Sequence, residues 1–168
     1  MGVSTNGMLV YGYIWGDDVD LLSPDGDEDG EDRDWVEVIA ERRGLVSPWA
    51  AFPPEIEALP YAQRNAASEA WIAKNRAAID AHYAAKEAIK SEYGVEIDSH
   101  GSDGWTVPIV KVAGVGHTAH RGSPVKLDPS ALTVDPTWDE KLARFCADLG
   151  IDTTEAEGPG WFLASWWG

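Results

Sequence analysis

The sequence predicts an α+β fold, with a mostly antiparallel sheet of about four to six strands and with one long helix and two shorter helices packed on it. Three observations indicate this class: short apolar runs flanked by glycine, turn-rich joins between them, and a long stretch, residues 63–93, that contains neither Pro nor Gly. With 168 residues and 44% hydrophobic composition, the chain is long enough for one core. We therefore expect a single domain over residues 1–168.

Five apolar runs are typical of strands. Residues 8–15 and 160–168 are apolar and aromatic almost throughout, which predicts two interior strands that are neighbours in one sheet. Residues 95–98, 105–113 and 117–122 predict three further strands joined by Gly-containing turns. Together these three indicate an antiparallel meander.

Three segments show helical patterns. Residues 35–43 form a short amphipathic run, and residues 63–93 are Ala-rich and predict the long helix. Residues 138–149 place apolar side chains at helical spacing. Thr137 and Glu140, three positions apart, predict a capping box at the start of this last helix.

Three polar residues, Asn75, His82 and Lys86, fall within the apolar arc of the long helix. They could line a pocket against the sheet. The favoured alternative is a hydrogen-bonded core histidine at His82 and a lysine at Lys86 whose stem is buried while its ammonium reaches solvent.

Charge and cysteine content restrict the partners and the compartment. The formal net charge of −16 argues against electrostatic attachment to DNA, RNA or an anionic membrane, and favours a cation, a basic partner or a neutral ligand. A protein partner is expected over a small molecule. Cys146 is the only cysteine, so no internal disulfide can form, and no run approaches the roughly 20 apolar residues of a membrane span. These features predict a cytoplasmic protein without membrane attachment.

An acidic segment occupies residues 17–34, where ten Asp or Glu residues stand against one Arg. Such a segment predicts a mobile loop. Within it, Asp25, Asp27 and Asp29 match the opening of a calcium loop, but the twelfth position is Val36 instead of the closing Glu. A solvated acidic loop is therefore favoured over a calcium site, and no other cofactor is predicted.

The segment 117–122 concentrates candidate ligand-binding side chains: His117, His120 and Arg121. On a strand, His117 and Arg121 project from one face and His120 from the other, which disfavours a metal site built from the two histidines. His117 and Arg121 could instead present paired donors to a phosphate or a carboxylate. The favoured alternative is a polar edge strand, because ligand pockets are few per protein.

Enzyme signatures are missing from the sequence. It contains no Gly-x-Ser-x-Gly, no phosphate-binding loop that ends in Lys-Ser/Thr, and no His-Glu-x-x-His. Cys146 lies on the apolar side of the last helix, which argues against a nucleophilic thiol. The sequence therefore leans against an enzyme but leaves catalysis open, because catalytic residues can come from distant parts of a chain.

Residues 4–13, 117–122 and 161–168 resemble small uncharacterised proteins encoded by actinobacterial phages. The resemblance implies a phage accessory protein that acts in the cytoplasm of the host bacterium. We therefore expect a non-enzymatic protein that binds a host or phage component. The alternative is capture or hydrolysis of a small anionic ligand, such as a nucleotide, at His117 and Arg121. Mimicry of DNA is disfavoured because the densest acids lie in a predicted mobile loop.

Overall fold

The computed structural model describes residues 5–16, 21, 34–102 and 105–167. Its helices and strands are, in chain order, β1 (Thr5–Ile14), α1 (Trp35–Arg42), α2 (Pro54–Glu57), α3 (Tyr61–Tyr93), β2 (Val95–Ser102), β3 (Trp105–Val112), β4 (His117–Ala119), α4 (Thr137–Leu149) and β5 (Glu157–Trp167). Short 3₁₀ turns precede α2 and α4. The predicted α+β class with a mostly antiparallel sheet is confirmed.

The chain divides into two compact units. One unit holds residues 1–35 and 93–168, with the five strands of the described chain and α4. The other holds residues 36–92, with α2, nearly all of α1 and nearly all of α3. The prediction of a single domain stays a prediction. None of the helices in the described ranges is long and apolar enough to cross a membrane.

The sheet has the strand order β3-β2-β5-β1-β4. β1 and β5 pair antiparallel over nearly all of β1, which confirms that the two strands predicted near the ends of the sequence are neighbours. β2 and β3 pair antiparallel along their whole length, and β3 also pairs with the end of β1. One parallel bridge, between Gly101 and Trp166, joins β2 to β5. The pairings among β1, β5, β2 and β3 therefore link the four strands in a ring, which the single bridge between β2 and β5 closes at one end only.

Side chains alternate between the two faces of this sheet. The face toward the inside of the ring carries a small apolar core, formed by Met8, Val10, Ile109 and Ala164, with Ile14 and Phe162 packed against it. The strand registers bring these residues together, because Val10 lies opposite Phe162 and Ile109 lies opposite Ile14. The core is thus shared by β1, β3 and β5.

α4 packs on the other face of the sheet, where it contacts β1, β2 and β3. The ring of Tyr11 lies 5.1 Å from that of Trp138, and the Tyr11 hydroxyl donates to Asp139 Oδ1 at 2.7 Å. Burial and this hydrogen bond raise the pKa of Tyr11 to about 12, so the phenol remains a donor at neutral pH. Leu142 and Phe145 of α4 are fully buried.

The start of α4 corrects the prediction of a capping box at Thr137 and Glu140. Thr137 is already the first helical residue, and both its N–H and its hydroxyl donate to Asp135 Oδ1 at 2.8 Å. The capping carboxylate is therefore Asp135. The prediction was wrong because the helix begins one residue earlier than the pattern indicated.

In the second unit, α1 and the C-terminal part of α3 run in the same direction. Lys86 Nζ lies 3.0 Å from Glu37 Oε1, and Arg43 donates two hydrogen bonds to Glu92, of 2.6 and 3.0 Å. Both pairs join residues 49 positions apart, so the two helices advance together. The segment between the helices contributes to an aromatic cluster on α3, formed by Trp49, Phe52 and Trp71.

Candidate functional site

A groove of about 700 Å³ opens on the inner face of the ring, a volume in the usual range for ligand sites, about 300–1,000 Å³. We call it the β2–β4 groove. Its lining comes from four strands and one loop: Met8, Leu9 and Val10 of β1, Glu96, Asp98 and Ser99 of β2, Lys111 of β3, residues 114–116, and His117 and Thr118 of β4. It therefore combines apolar residues of β1 with charged residues of β2 and β3.

The groove exists because β3 and β4 lie end to end along one edge of β1. Lys111 is the partner of Gly12, and His117 is the partner of Leu9. Between these two pairs, the chain advances by six residues, from 111 to 117, whereas β1 spans only three, from 12 to 9. The extra residues leave the ladder as a loop, and this loop forms a wall of the groove.

Gly116 holds this wall close to β1. Its φ angle is 132°, a backbone conformation that residues with side chains rarely adopt. A Cβ atom here would also collide with the carbonyl oxygen of Leu9. Only glycine fits at this position without movement of the backbone. The distance between the loop and β1 is therefore fixed by the main chain.

Two carboxylates surround one ammonium on the side of the groove formed by β2 and β3. Lys111 Nζ is hydrogen-bonded to Asp98 Oδ2 and lies 3.7 Å from Glu96 Oε2. The β2–β3 register explains the cluster, because Glu96 is the direct partner of Lys111 and Asp98 is the next residue on the same face. The side chain of Lys111 is only 17% exposed. The three charges sum to −1.

The pKa of Asp98 reflects opposing effects. Partial burial raises it, whereas hydrogen bonds from Lys111 and from the Ser99 N–H, together with the charge of Lys111, lower it. The lowering effects are larger in sum, so the pKa of Asp98 lies below its ordinary value.

We expect Lys111→Gln to raise the pKa of Asp98, because the substitution removes both the hydrogen bond and the charge and leaves the effect of burial. A pH titration followed by carboxyl ¹³C NMR measures this change. Lys126→Gln, at an exposed residue, is the control with the same loss of charge. An equal pKa of Asp98 in the two variants would contradict the assignment.

The same pair also affects stability. A carboxylate whose pKa is lowered in the folded state stabilises the fold above its unfolded pKa of about 3.9, and this contribution is lost as the pH falls through the folded pKa. Lys111→Gln should therefore be less stable than the wild type at pH 7, by up to about 1 kcal/mol for a partly exposed pair, and the difference should vanish in acid.

His100 adds a buried polar atom to the inner face of β2. It occupies the same face as Glu96 and Asp98, and its Nε2 is buried and has no hydrogen-bond partner among the described residues. The sequence placed residues 100–104 in a turn, whereas β2 continues to Ser102. Glycines at positions 101 and 104 suggested the earlier end, and only the pairing with β3 reveals the longer strand.

The three residues that the sequence grouped as a ligand site differ in their position relative to the groove. His117 lines the groove, whereas His120 and Arg121 are not lining residues. β4 ends at Ala119, so the strand alternation from which a shared face of His117 and Arg121 was predicted does not extend to Arg121. Asn6 Oδ1 instead accepts from the Arg121 N–H at 3.4 Å and lies 3.3 Å from His120 Nδ1. Ligand binding by these residues stays a prediction.

The predicted calcium ligands, Asp25, Asp27 and Asp29, lie outside the described residues, as does nearly all of the acidic segment 17–34. Calcium binding and the mobility of this segment therefore stay predictions. Within the described ranges, no group of three or more His, Cys, Asp and Glu residues is arranged to hold a metal ion.

The polar residues of α3 have different environments. The Asn75 side chain donates to the Trp71 carbonyl within the helix at 2.8 Å, and Lys86, with 12% of its side chain exposed, pairs with Glu37. His82 is 8% exposed, and its Nδ1 is buried without a hydrogen-bond partner in the described structure. The expected hydrogen bond of a core histidine is therefore not formed at Nδ1.

No family model, no curated protein and no solved structure matches the chain. The resemblance to small phage proteins therefore stays a prediction.

Proposed function

We propose that the chain is a non-enzymatic binding protein that engages a basic segment of a protein partner through the β2–β4 groove. The observation that carries this proposal is the charge balance of the groove. Glu96 and Asp98 face one ammonium, that of Lys111, which Asp98 already engages. A cationic side chain that enters the groove therefore meets a carboxylate that is not fully compensated.

The surroundings of the two carboxylates favour the same partner. Met8 and Val10 are buried at the groove and offer apolar contact beside the charges, a combination typical of protein interfaces. The net charge of −16 steers a basic partner toward the protein and repels an acidic one. Both features support a segment that carries cationic and apolar side chains together.

The state of the reactive side chains supports binding over catalysis. Burial raises the pKa of the Cys146 thiol to about 11, so the thiolate needed for nucleophilic attack is scarce at neutral pH. The amine of Lys111 is engaged by two carboxylates. In line with the resemblance to phage proteins, we propose that the partner is a host or phage component in the bacterial cytoplasm.

The test is a titration of the protein with a synthetic peptide, followed by ¹H–¹⁵N NMR at about 0.15 M salt. The probe is an acetylated and amidated heptapeptide, Thr-Lys-Val-Lys-Val-Lys-Thr. We expect shifts at groove residues and about fivefold weaker binding to Glu96→Gln, because one favourable charge pair contributes about 1 kcal/mol.

Glu155→Gln is the matched control, because it removes the same charge at an exposed position that does not line the groove. Its affinity for the peptide should equal that of the wild type. Equal losses in the two variants would reveal attraction to the overall charge alone and overturn the proposal. Shifts at His117 and Arg121 with a nucleotide, and none with the peptide, would favour the anionic ligand instead.

A further inference from the structure

β2 has an open edge next to the groove. One edge of the strand pairs with β3 along its whole length, and the other edge meets β5 only at the bridge between Gly101 and Trp166. Residues 95–100 of β2 therefore have no ladder partner on that second edge among the described strands. Their backbone groups on this side are therefore outside the described strand ladders, as an added strand requires.

The acidic residues of the groove lie on this same strand. Glu96 and Asp98 are two positions apart and on one face, and Ser99 beside them also lines the groove. In paired strands, residues directly opposite each other point to the same face of the sheet. A strand added to β2 would therefore place every second side chain on the face that carries Glu96 and Asp98, next to their carboxylates. One extended segment can therefore pair with the open edge and place its side chains in the groove.

We propose that the partner segment binds as an extended strand along the open edge of β2, with Lys or Arg at alternate positions facing Glu96 and Asp98. This proposal rests on the proposed function and specifies the shape and the sequence pattern of the ligand. Main-chain hydrogen bonds provide the affinity, and the alternating charges fix the register of the partner strand relative to β2.

The acidic face also determines which strand the edge accepts. Like charges directly opposite each other destabilise a strand pair, whereas opposite charges stabilise it. The same edge of a second copy would place Glu96 and Asp98 against acidic residues, so self-pairing is disfavoured. Charged edge residues that block self-association thus select a basic partner.

The test compares the alternating heptapeptide with two modified forms. The first form, Thr-Lys-Lys-Val-Val-Lys-Thr, has the same composition and charge, but no two of its lysines are two positions apart. The second keeps the alternating sequence and carries N-methyl groups on every second backbone amide, so that one edge cannot donate hydrogen bonds. Two N-methylated versions, one for each edge, cover both orientations of the peptide.

We expect the reordered peptide to bind at least about fivefold more weakly. One of the two N-methylated versions should bind at least about tenfold more weakly, because it loses several main-chain hydrogen bonds. If the reordered peptide and both N-methylated versions bind like the parent while Glu96→Gln still weakens binding, strand addition is overturned and the proposed function stands. If the parent peptide does not bind the wild type, both proposals fail.

Discussion

Gly12→Ala should destabilise the protein by at least about 3 kcal/mol, the upper part of the range for overpacking. A Cβ atom at Gly12 would collide with the carbonyl oxygen of Val110, and it would lie 2.8 Å from the Cα of Lys111. These are main-chain atoms of the paired strand β3, so no side-chain rotation can relieve the collision. The ladder between β1 and β3 would have to separate. For a chain of this size, we expect the melting temperature to fall by about 10 °C.

Gly7→Ala provides the matched control in the same strand. The nearest atom to its added Cβ is the carbonyl oxygen of Ala164, at 4.0 Å, so the methyl group fits without movement. Its effect should be below about 1 kcal/mol, and it can be stabilising because alanine restricts the unfolded chain. Thermal and chemical denaturation of the two variants measure their stabilities relative to the wild type. Equal stabilities would show that β1 and β3 do not approach as closely as described.

Phe145→Ala should cost about 3–5 kcal/mol, the usual range for removal of a buried aromatic ring. Phe145 is fully buried in α4, and its ring packs edge-on against those of Trp35, at 4.9 Å, and Tyr93, at 5.6 Å. Tyr93 is held in turn by a hydrogen bond of 2.6 Å to Asp148. The cavity would therefore border the ring of Tyr93, which this hydrogen bond keeps in place. Urea unfolding measures the loss of stability.

Two leucine substitutions provide the control for this prediction. Leu142→Ala and Leu163→Ala remove the same atoms, but Leu142 is fully buried, whereas Leu163 is 81% exposed. We expect a loss of about 2–5 kcal/mol for the first and less than about 0.5 kcal/mol for the second. Comparable losses in both variants would contradict the burial of α4 against the sheet.

Local patterns were sufficient to predict most elements of the fold. The glycine-flanked apolar runs predicted β1 and β5, because strands buried on both faces need nearly continuous apolar side chains. The helix predicted over residues 63–93 is observed as Tyr61–Tyr93, since its alanine content and the following glycine are local signals. The pairing of β1 with β5 also followed from their similar composition and is confirmed.

The groove could be predicted only in part. His117 was singled out by its sequence neighbourhood and does line the groove, but Glu96, Asp98 and Lys111 were not selected. Their proximity depends on the register between β2 and β3, and on β4 continuing along the edge that β3 leaves. A register is a long-range property that one sequence does not encode in any short window. Arg121 was wrongly placed on the strand for a related reason, because local composition did not reveal where the pairing of β4 ends.

The pairing of β1 with β5 also constrains the order in which the chain can fold. Thr5 and Trp167, which are 162 positions apart, are direct partners, and the residues that follow Thr5 pair in turn with those that precede Trp167. Contacts this distant in sequence require closure of a very long loop, which makes folding slow compared with helix formation. During synthesis, β1 leaves the ribosome long before β5 exists, and its apolar residues remain unpaired along that edge. The ring can therefore close only late, and until then β1 is exposed to non-native pairing and aggregation.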